Sequence, residues 1–478
     1  IGYKAMGSYT TTGINNTVVG SKSGQYLITG KNNTFLGQGI GGTIEGSSNI
    51  AIGQYAMGAI RREIMESVAI GNSALAYHGA QCVTIGHMAG HGSYTYSTTA
   101  ASTAHSGSVS VGYKAGQNAT GSYNTFMGFE AGKGASSNTT SGQYNVAIGN
   151  ESLTGFTSGT DNVGVGADSL QSITTGTSNV GVGRSALDSM TTKHYNTAIG
   201  HHAMKGANNT QQAVAIGSFA LDNLGGSAAE GFVCIGHLAG TNINGNGANA
   251  CVAIGHSALV SNENGGGNVA VGSNAGYFVT SNDNTLIGDL AGNTISTGAE
   301  NTILGADCDV ASNDNNNNVI IGNNLTATDK DNAVFIGNDS SHIENDFNAD
   351  ATWNHSSDVR QKIQIKDDTL GLSFINDIRP VTYKHKSPSE FPKEWKAYDP
   401  DDTDPMGGDK VIHGLIAQEV KEALDKQNID TFGGWSEDDD GRQRVSFESF
   451  VMPLIKSVQE LSKKVEEQQK EIEELKKK

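Results

Sequence analysis

At 478 residues and a formal net charge of −18, the chain is long enough for several domains, and its acidity argues against a nucleic-acid-binding surface. No apolar run approaches the ~20 residues of a membrane-spanning helix. The composition is uneven: all but seven of the 63 glycines precede Asp346, whereas all six prolines follow it. A Gly/Asn/Ser/Thr-rich chain with few charges is either disordered or a regular repeat, and periodicity decides between them. Ile1 is not an initiator, so the start reads as truncated or processed, and it does not read as a signal peptide.

The periodicity is clear. Val-Ala-Ile-Gly at 146–149 is followed by Val-Gly-Val-Gly at 163–166 and 180–183, Thr-Ala-Ile-Gly at 197–200 and Val-Ala-Ile-Gly at 214–217, so the closing glycines Gly149, Gly166, Gly183, Gly200 and Gly217 fall 17 residues apart. The same signature extends from Gly2 to Gly337. The unit is Asn-[Thr/Val]-x-[Ile/Val/Leu]-Gly-x-x-Ala-[Leu/Gly] followed by a variable polar loop. Alternating β-branched residues predict one short strand per unit. The glycine predicts a turn or close backbone approach, the alanine a narrow interior, and the polar loop an outer corner. A single coil cannot bury its strand, so residues 1–340 are expected to stack into a mainly β repeat solenoid. With so few large side chains the core of one chain would be thin, which favours packing between chains as a homotrimer.

Four cysteines, Cys82, Cys234, Cys251 and Cys308, lie far apart without a CxxC pair and read as buried thiols of a reducing cytosol. His87, His201, His237 and His256 each follow the repeat glycine. The same slot also holds Asn72, Ala167, Arg184 and Ser273, so a solvent-facing position is expected rather than an ion site, and no metal or other cofactor is implied. The run Asn313–Asn318 lacks EF-hand spacing and reads as a polar corner. The insertion at 87–111, with Tyr94 and Tyr96, reads equally as a receptor-contacting loop or a plain bulge. This repeat resembles the β-roll heads of trimeric bacterial surface adhesins and similar repeats in phage tail-fibre shafts.

Residues 341–356 read as a neck or cap, with Trp353 closing the apolar end of the solenoid, and as the joint before His355-Ser356-Ser357-Asp358-Val359-Arg360-Gln361-Lys362. By itself this stretch is a helix start with a Ser or Asp cap and a solvated lysine. A nucleophilic reading takes Ser357 with Lys362 as base. Their five-residue separation fits one face of neither a helix nor a strand. A turn or a neighbouring chain would have to bring them together, and partial burial would have to favour the neutral amine.

Downstream, Leu370, Leu372, Ile375 and Ile378 give a helical stripe ending at Pro380, Val381–Tyr383 a strand, 387–411 a polar loop, and Leu415 to Gln427 an amphipathic helix. From Leu454 onward, Val458, Leu461, Val465, Ile472 and Leu475 fall on a heptad seam. Its branched residues at a with Leu at d favour a dimer by the simple rule.

The ordered motifs Ser357-Asp358-Val359-Arg360-Gln361-Lys362, Leu370–Ile375, Ile378–Tyr383, His413–Val420 and Val445–Glu448, with the heptad run after them, resemble the endosialidase-type C-terminal intramolecular chaperone. That family comprises self-cleaving serine–lysine peptidases found on phage tail fibres and tailspikes. The resemblance implies a small α+β chaperone domain at 357–452 and a coiled coil at 453–478 that is trimeric, overriding the dimer rule. It also implies Ser357 and Lys362 as the catalytic pair and cleavage between Ser356 and Ser357, with Asp358, Arg360, Gln418 and Glu419 as supporting residues. The expected protein is then a virion tail fibre for host attachment, made and processed in the host cytoplasm, that meets a cell-surface receptor or glycan and inserts into no membrane. A trimeric bacterial adhesin and a glycan-degrading tailspike are the alternatives. The residues after the repeat do not read as a membrane barrel, and carboxylates are sparse in the repeat, without a paired acidic motif.

Overall fold

In the computed structural model the chain forms two compact units, Ile1–Ser356 and Ser357–Lys478. The structure describes all residues except 8–11, 42–45, 59–63, 77–78, 93–105, 136–139, 225–228, 244–249, 348–356, 396, 406–409 and 478. Tyr94, Tyr96, Trp353 and Ser356 therefore lie outside the described residues.

The first unit is a β-solenoid. Three-residue strands recur from Thr17–Val19 onward, and each pairs in parallel with the strand one repeat later, without a register slip. Val163, Val180 and Thr197, for example, stand directly above one another. Only the middle residue of each strand points inward, as at Ala147, Gly164, Gly181 and Ala198, whereas the β-branched residues on either side face outward. The interior is nevertheless closed within one chain: away from the two ends of the stack, the residue three positions after the repeat glycine, most often alanine as at Ala186, Ala203 and Ala220, is fully buried.

The repeat glycine is fixed by two constraints. Gly200 and Gly217 have φ of 139° and 135°, a region that L side chains rarely adopt. A Cβ on Gly200 would also sit 2.4 Å from the Gly217 carbonyl oxygen one coil further on. The corner that follows is made by left-handed residues two and four positions after the glycine, as at Asp168 (φ 57°) and Leu170 (φ 52°), or Ser185 (φ 53°) and Leu187 (φ 55°). A left-handed leucine costs on the order of 1 kcal/mol or more, and stacking against identical corners holds it there.

That fourth residue and the middle strand residue share one core slot. Where the strand centre is small, the corner residue is large: Ala147 with Leu153, Gly164 with Leu170, Gly181 with Leu187, Ala198 with Met204. Where the strand centre is large, the corner is glycine: Phe35 with Gly41, Phe126 with Gly132, Leu286 with Gly292. Thr84 with Gly90, Ser110 with Gly116 and Cys234 with Gly240 depart from this rule, as does Ala270 with Gly276. There, Leu259 and Leu286 of the neighbouring coils fill the space, and a Cβ on Gly276 would come within 3.0 Å of both.

The repeat asparagine, to which the sequence pattern assigned no task, is a fully buried hydrogen-bond ladder. Asn179 donates its Nδ2 to Lys193 O over 2.9 Å and to Asn162 Oδ1, while its own Oδ1 accepts both the backbone N–H and Nδ2 of Asn196. Every polar atom of the side chain is thereby satisfied away from water. The ladder is broken at Ser67, Cys82 and Ser108, and again at Ala213, Phe232 and Cys251. All four cysteines are free and buried.

The solenoid ends in a hairpin. Ser341–Asp346 pairs antiparallel with Ala333–Asn338, and Glu344 forms an ion pair with Lys330 at 3.6 Å. A charged antiparallel strand thus stands at the start of the expected cap, and residues 348–356 lie outside the described residues.

The second unit packs three helices, α1 (Leu372–Asp377), α2 (Ala417–Lys426) and α3 (Val451–Lys477), with two antiparallel pairs, Val381–Tyr383 with Ile412–Gly414 and Trp435–Glu437 with Gln443–Val445. Its core is Leu370, Phe374, Val420, Ala423, Leu424 and Phe450. Phe374 is the fully buried side chain of α1; of the expected stripe, Leu370 lies in the core and Ile375 and Ile378 pack at its margin. Glu460 of α3 accepts the Leu372 N–H at 2.9 Å, which joins the long helix to the start of α1. The loop at 387–411 holds a short 3-10 turn, Pro388–Glu390, closed by a Ser387–Glu390 capping box.

Candidate functional site

The stretch that begins the second unit folds as a tight turn. Asp358 caps it, its Oδ1 accepting the Arg360 N–H at 2.8 Å, and Val359–Gln361 form one 3-10 turn. Gln361 N–H donates to Asp358 O and Lys362 N–H to Val359 O, each at 3.1 Å. This closure reverses the chain and solves the spacing problem that neither helix nor strand could. Lys362 Nζ donates to Ser357 Oγ at 2.6 Å, within a single chain.

Both side chains are exposed, as are Val359, Ile363 and Ile365, and the turn touches no other helix or strand among the described residues. As drawn, the lysine donates; a general base must instead accept the serine proton at the same nitrogen. The partial burial expected for such a lysine is not supplied by its own chain.

Asp358 and Arg360 buttress the turn. The guanidinium contacts both carboxylate oxygens through Nε (3.0 and 3.1 Å) and reaches Oδ2 through Nη2 (2.6 Å). These charge-assisted bonds, together with the Arg360 backbone N–H, hold the Asp358 carboxyl below its ordinary range. Ser356, which would provide the scissile carbonyl, lies outside the described residues.

Gln418 and Glu419 sit elsewhere, in the first turn of α2. Glu419 forms an ion pair with Arg379, which lowers the Glu419 carboxyl from its usual value. Arg379, next to Pro380, lies in the Ile378–Tyr383 motif, which assigns it no role. A basic residue 40 positions away carries no local signal of its partner. Gln418 lines an open pocket of about 750 Å³ with Tyr383, His385, Trp395, Leu415 and Phe447. Neither α2 residue is brought to the Ser357–Lys362 pair.

Helix α3 carries the heptad positions Val458, Leu461, Val465, Ile472 and Leu475, all exposed. Among the described residues, no group of three or more His, Cys, Asp or Glu is placed to hold a metal ion. The repeat histidines pack as rings instead, His237 stacking on His256 at 5.3 Å and His201 on His202 at 3.9 Å.

Residues 357–428 match the model of the family described as chaperone of endosialidase. The match begins at Ser357, the first residue of the second compact unit. No curated protein matches the chain. A β-solenoid followed by a region that matches this chaperone fits a tailspike or fibre protein; the chaperone match implies trimer assembly, and the matched family implies self-cleaving peptidase activity in general.

Proposed function

We propose that this chain is the shaft of a virion tail fibre, built as a homotrimer for host attachment, whose chaperone is removed by its own peptidase between Ser356 and Ser357. The observation that carries the reading is the 2.6 Å contact between Lys362 Nζ and Ser357 Oγ at the first residue of the chaperone match.

Neutral Lys362 takes the Ser357 hydroxyl proton as Oγ adds to the Ser356 carbonyl carbon. The tetrahedral intermediate collapses with loss of the peptide nitrogen, the proton passes from the lysine to the freed α-amine of Ser357, and an ester joins Ser356 to Ser357 Oγ. Water then hydrolyses the ester, leaving a Ser356 carboxylate and a free hydroxyl. In one chain the pair is exposed to water. The exposed Val359, Ile363 and Ile365 beside it, and the open seam of α3, supply apolar surface that neighbouring chains would cover. Cleavage would then follow assembly. Repeated coils can slip by whole units at little local cost, so an assembly aid that registers three chains and then departs leaves the shaft kinetically trapped.

Virion location, host-cell synthesis and a receptor or glycan partner belong to the same proposal. A glycan-degrading spike or a bacterial adhesin would show depolymerisation of polysaccharide or outer-membrane association instead. The test is expression of the full chain beside Ser357→Ala and Lys362→Ala, read on denaturing gels with mass spectrometry. Wild type should yield a fragment ending at Ser356 and both variants a full-length band. A wild type that trimerises yet stays whole would sink the peptidase reading, and blockage by Ser356→Ala alone would move the nucleophile by one residue.

A further inference from the structure

The outward side of the solenoid sheet is the largest feature that the fold leaves unused. In the strands of the solenoid sheet the residues on either side of the inward one point away from the closed interior, at the first and third positions from Thr17–Val19 to Val319–Asn323 and at Val334 and Ile336 in the last parallel strand; these two columns hold only Val, Ile, Leu, Met or Thr, with no charged residue. Ile148, Ile199, Ile216, Ile287, Leu304 and Ile321 are 37–46 % exposed. Two half-exposed aliphatic side chains per coil over the whole stack amount to roughly 2,000 Å² per chain, several times the few hundred Å² of apolar patch that a monomer tolerates. It also exceeds the ~800 Å² per partner of a standard stable interface.

We propose that this face is where copies of this chain pack against one another along the shaft. This rests on the assembly reading above and adds to it the surface that the shaft itself uses. The occupant is a second copy because the columns repeat once per coil, in strict register from one strand to the next. Only a partner with the same rise per coil stays in step over the full length, and another copy of the solenoid has that rise by construction. The interior is already sealed within each chain, so the face contributes little to folding of one copy and is free to contribute to association. β-branched side chains on a flat sheet lose little rotamer freedom when covered, which favours such an interface.

The test uses the full chain. Val214→Cys and Ile216→Cys place thiols on the face, Tyr195→Cys places one at an exposed position off it, and the wild type reports on the four buried native cysteines. A short bismaleimide should join copies through residue 214 or 216 and not through 195, while light scattering gives a multimer mass for all four proteins. A multimer in which neither 214 nor 216 cross-links overturns this proposal and leaves the assembly reading intact. A single-chain mass for wild type overturns both. As a second measure, Ile199→Glu with Ile216→Glu should lower the mass of the shaft while β-sheet circular dichroism is retained. If the paired variant instead keeps its multimer mass, or wild type remains a single chain and binds phosphatidylcholine vesicles through this face, the interface assignment fails.

Discussion

Lys362 Nζ and Ser357 Oγ meet at 2.6 Å because Asp358, between them, caps a single 3-10 turn. The contact depends on that cap. Removing an N-cap costs about 1 kcal/mol, so Asp358→Ala should lower the turned population several-fold and slow self-cleavage by a similar factor. Lys362→Ala should abolish cleavage. Arg360→Ala, which leaves the backbone cap in place, should slow it less than Asp358→Ala. Time courses of full-length and cleaved bands check the order, and equal loss in all three variants would count against a positioning role for Asp358.

The core slot shared by strand and corner gives a reciprocal test. Phe126→Ala empties it and should cost about 3–5 kcal/mol. Gly132→Leu overfills it, since a Cβ there would lie 2.0 Å from the Phe126 ring. Combining Phe126→Ala with Gly132→Leu reproduces the Ala147–Leu153 pairing of the next coil and should recover much of the loss. Urea unfolding of the cleaved shaft measures the coupling, and strictly additive losses would contradict a shared slot.

The asparagine ladder makes a graded prediction. Asn179→Ala leaves the Asn196 backbone N–H and Nδ2 without their shared acceptor and should cost about 1–3 kcal/mol. Asn179→Ser should cost less, because serine stands naturally in this column at Ser67 and Ser108, where each Oγ accepts the next coil's backbone N–H at 3.1 Å. Thermal or denaturant midpoints of the two variants provide the comparison.

Burial pushes the Cys82 thiol from 9.0 up to about 11, opposed only in part by backbone bonds from the 107–108 segment. A thiol whose pKa is raised by folding leaves stability intact below the unfolded value and removes it as pH climbs towards the folded one. The shaft should therefore lose about 2–3 kcal/mol per chain between pH 9 and 11 from this group. Cys82→Ala should remove this group's share of the loss in that window, while Cys234, Cys251 and Cys308, also raised by burial, keep theirs. Chemical denaturation at pH 8, 9, 10 and 11 is the measurement.

The sequence determined by itself that residues before about 340 stack as coils, because a period near 17 with one glycine per unit has few other solutions. It also placed the heptad seam, which a local motif carries, whereas Ser357 and Lys362 stand out from a plain helix cap only through the ordered motifs downstream of them. The tertiary structure decided which face each repeat residue occupies. A three-residue strand has too little periodicity to reveal that its small middle residue is the one inside, or that the asparagine before it is buried with its partners one coil away. It decided likewise that Phe126 and Gly132 answer to each other, that Arg379 pairs with Glu419, and that Glu460 holds the start of α1. It also folded Ser357 back onto Lys362, because a five-residue spacing becomes a contact only once a capped turn fixes the backbone between them.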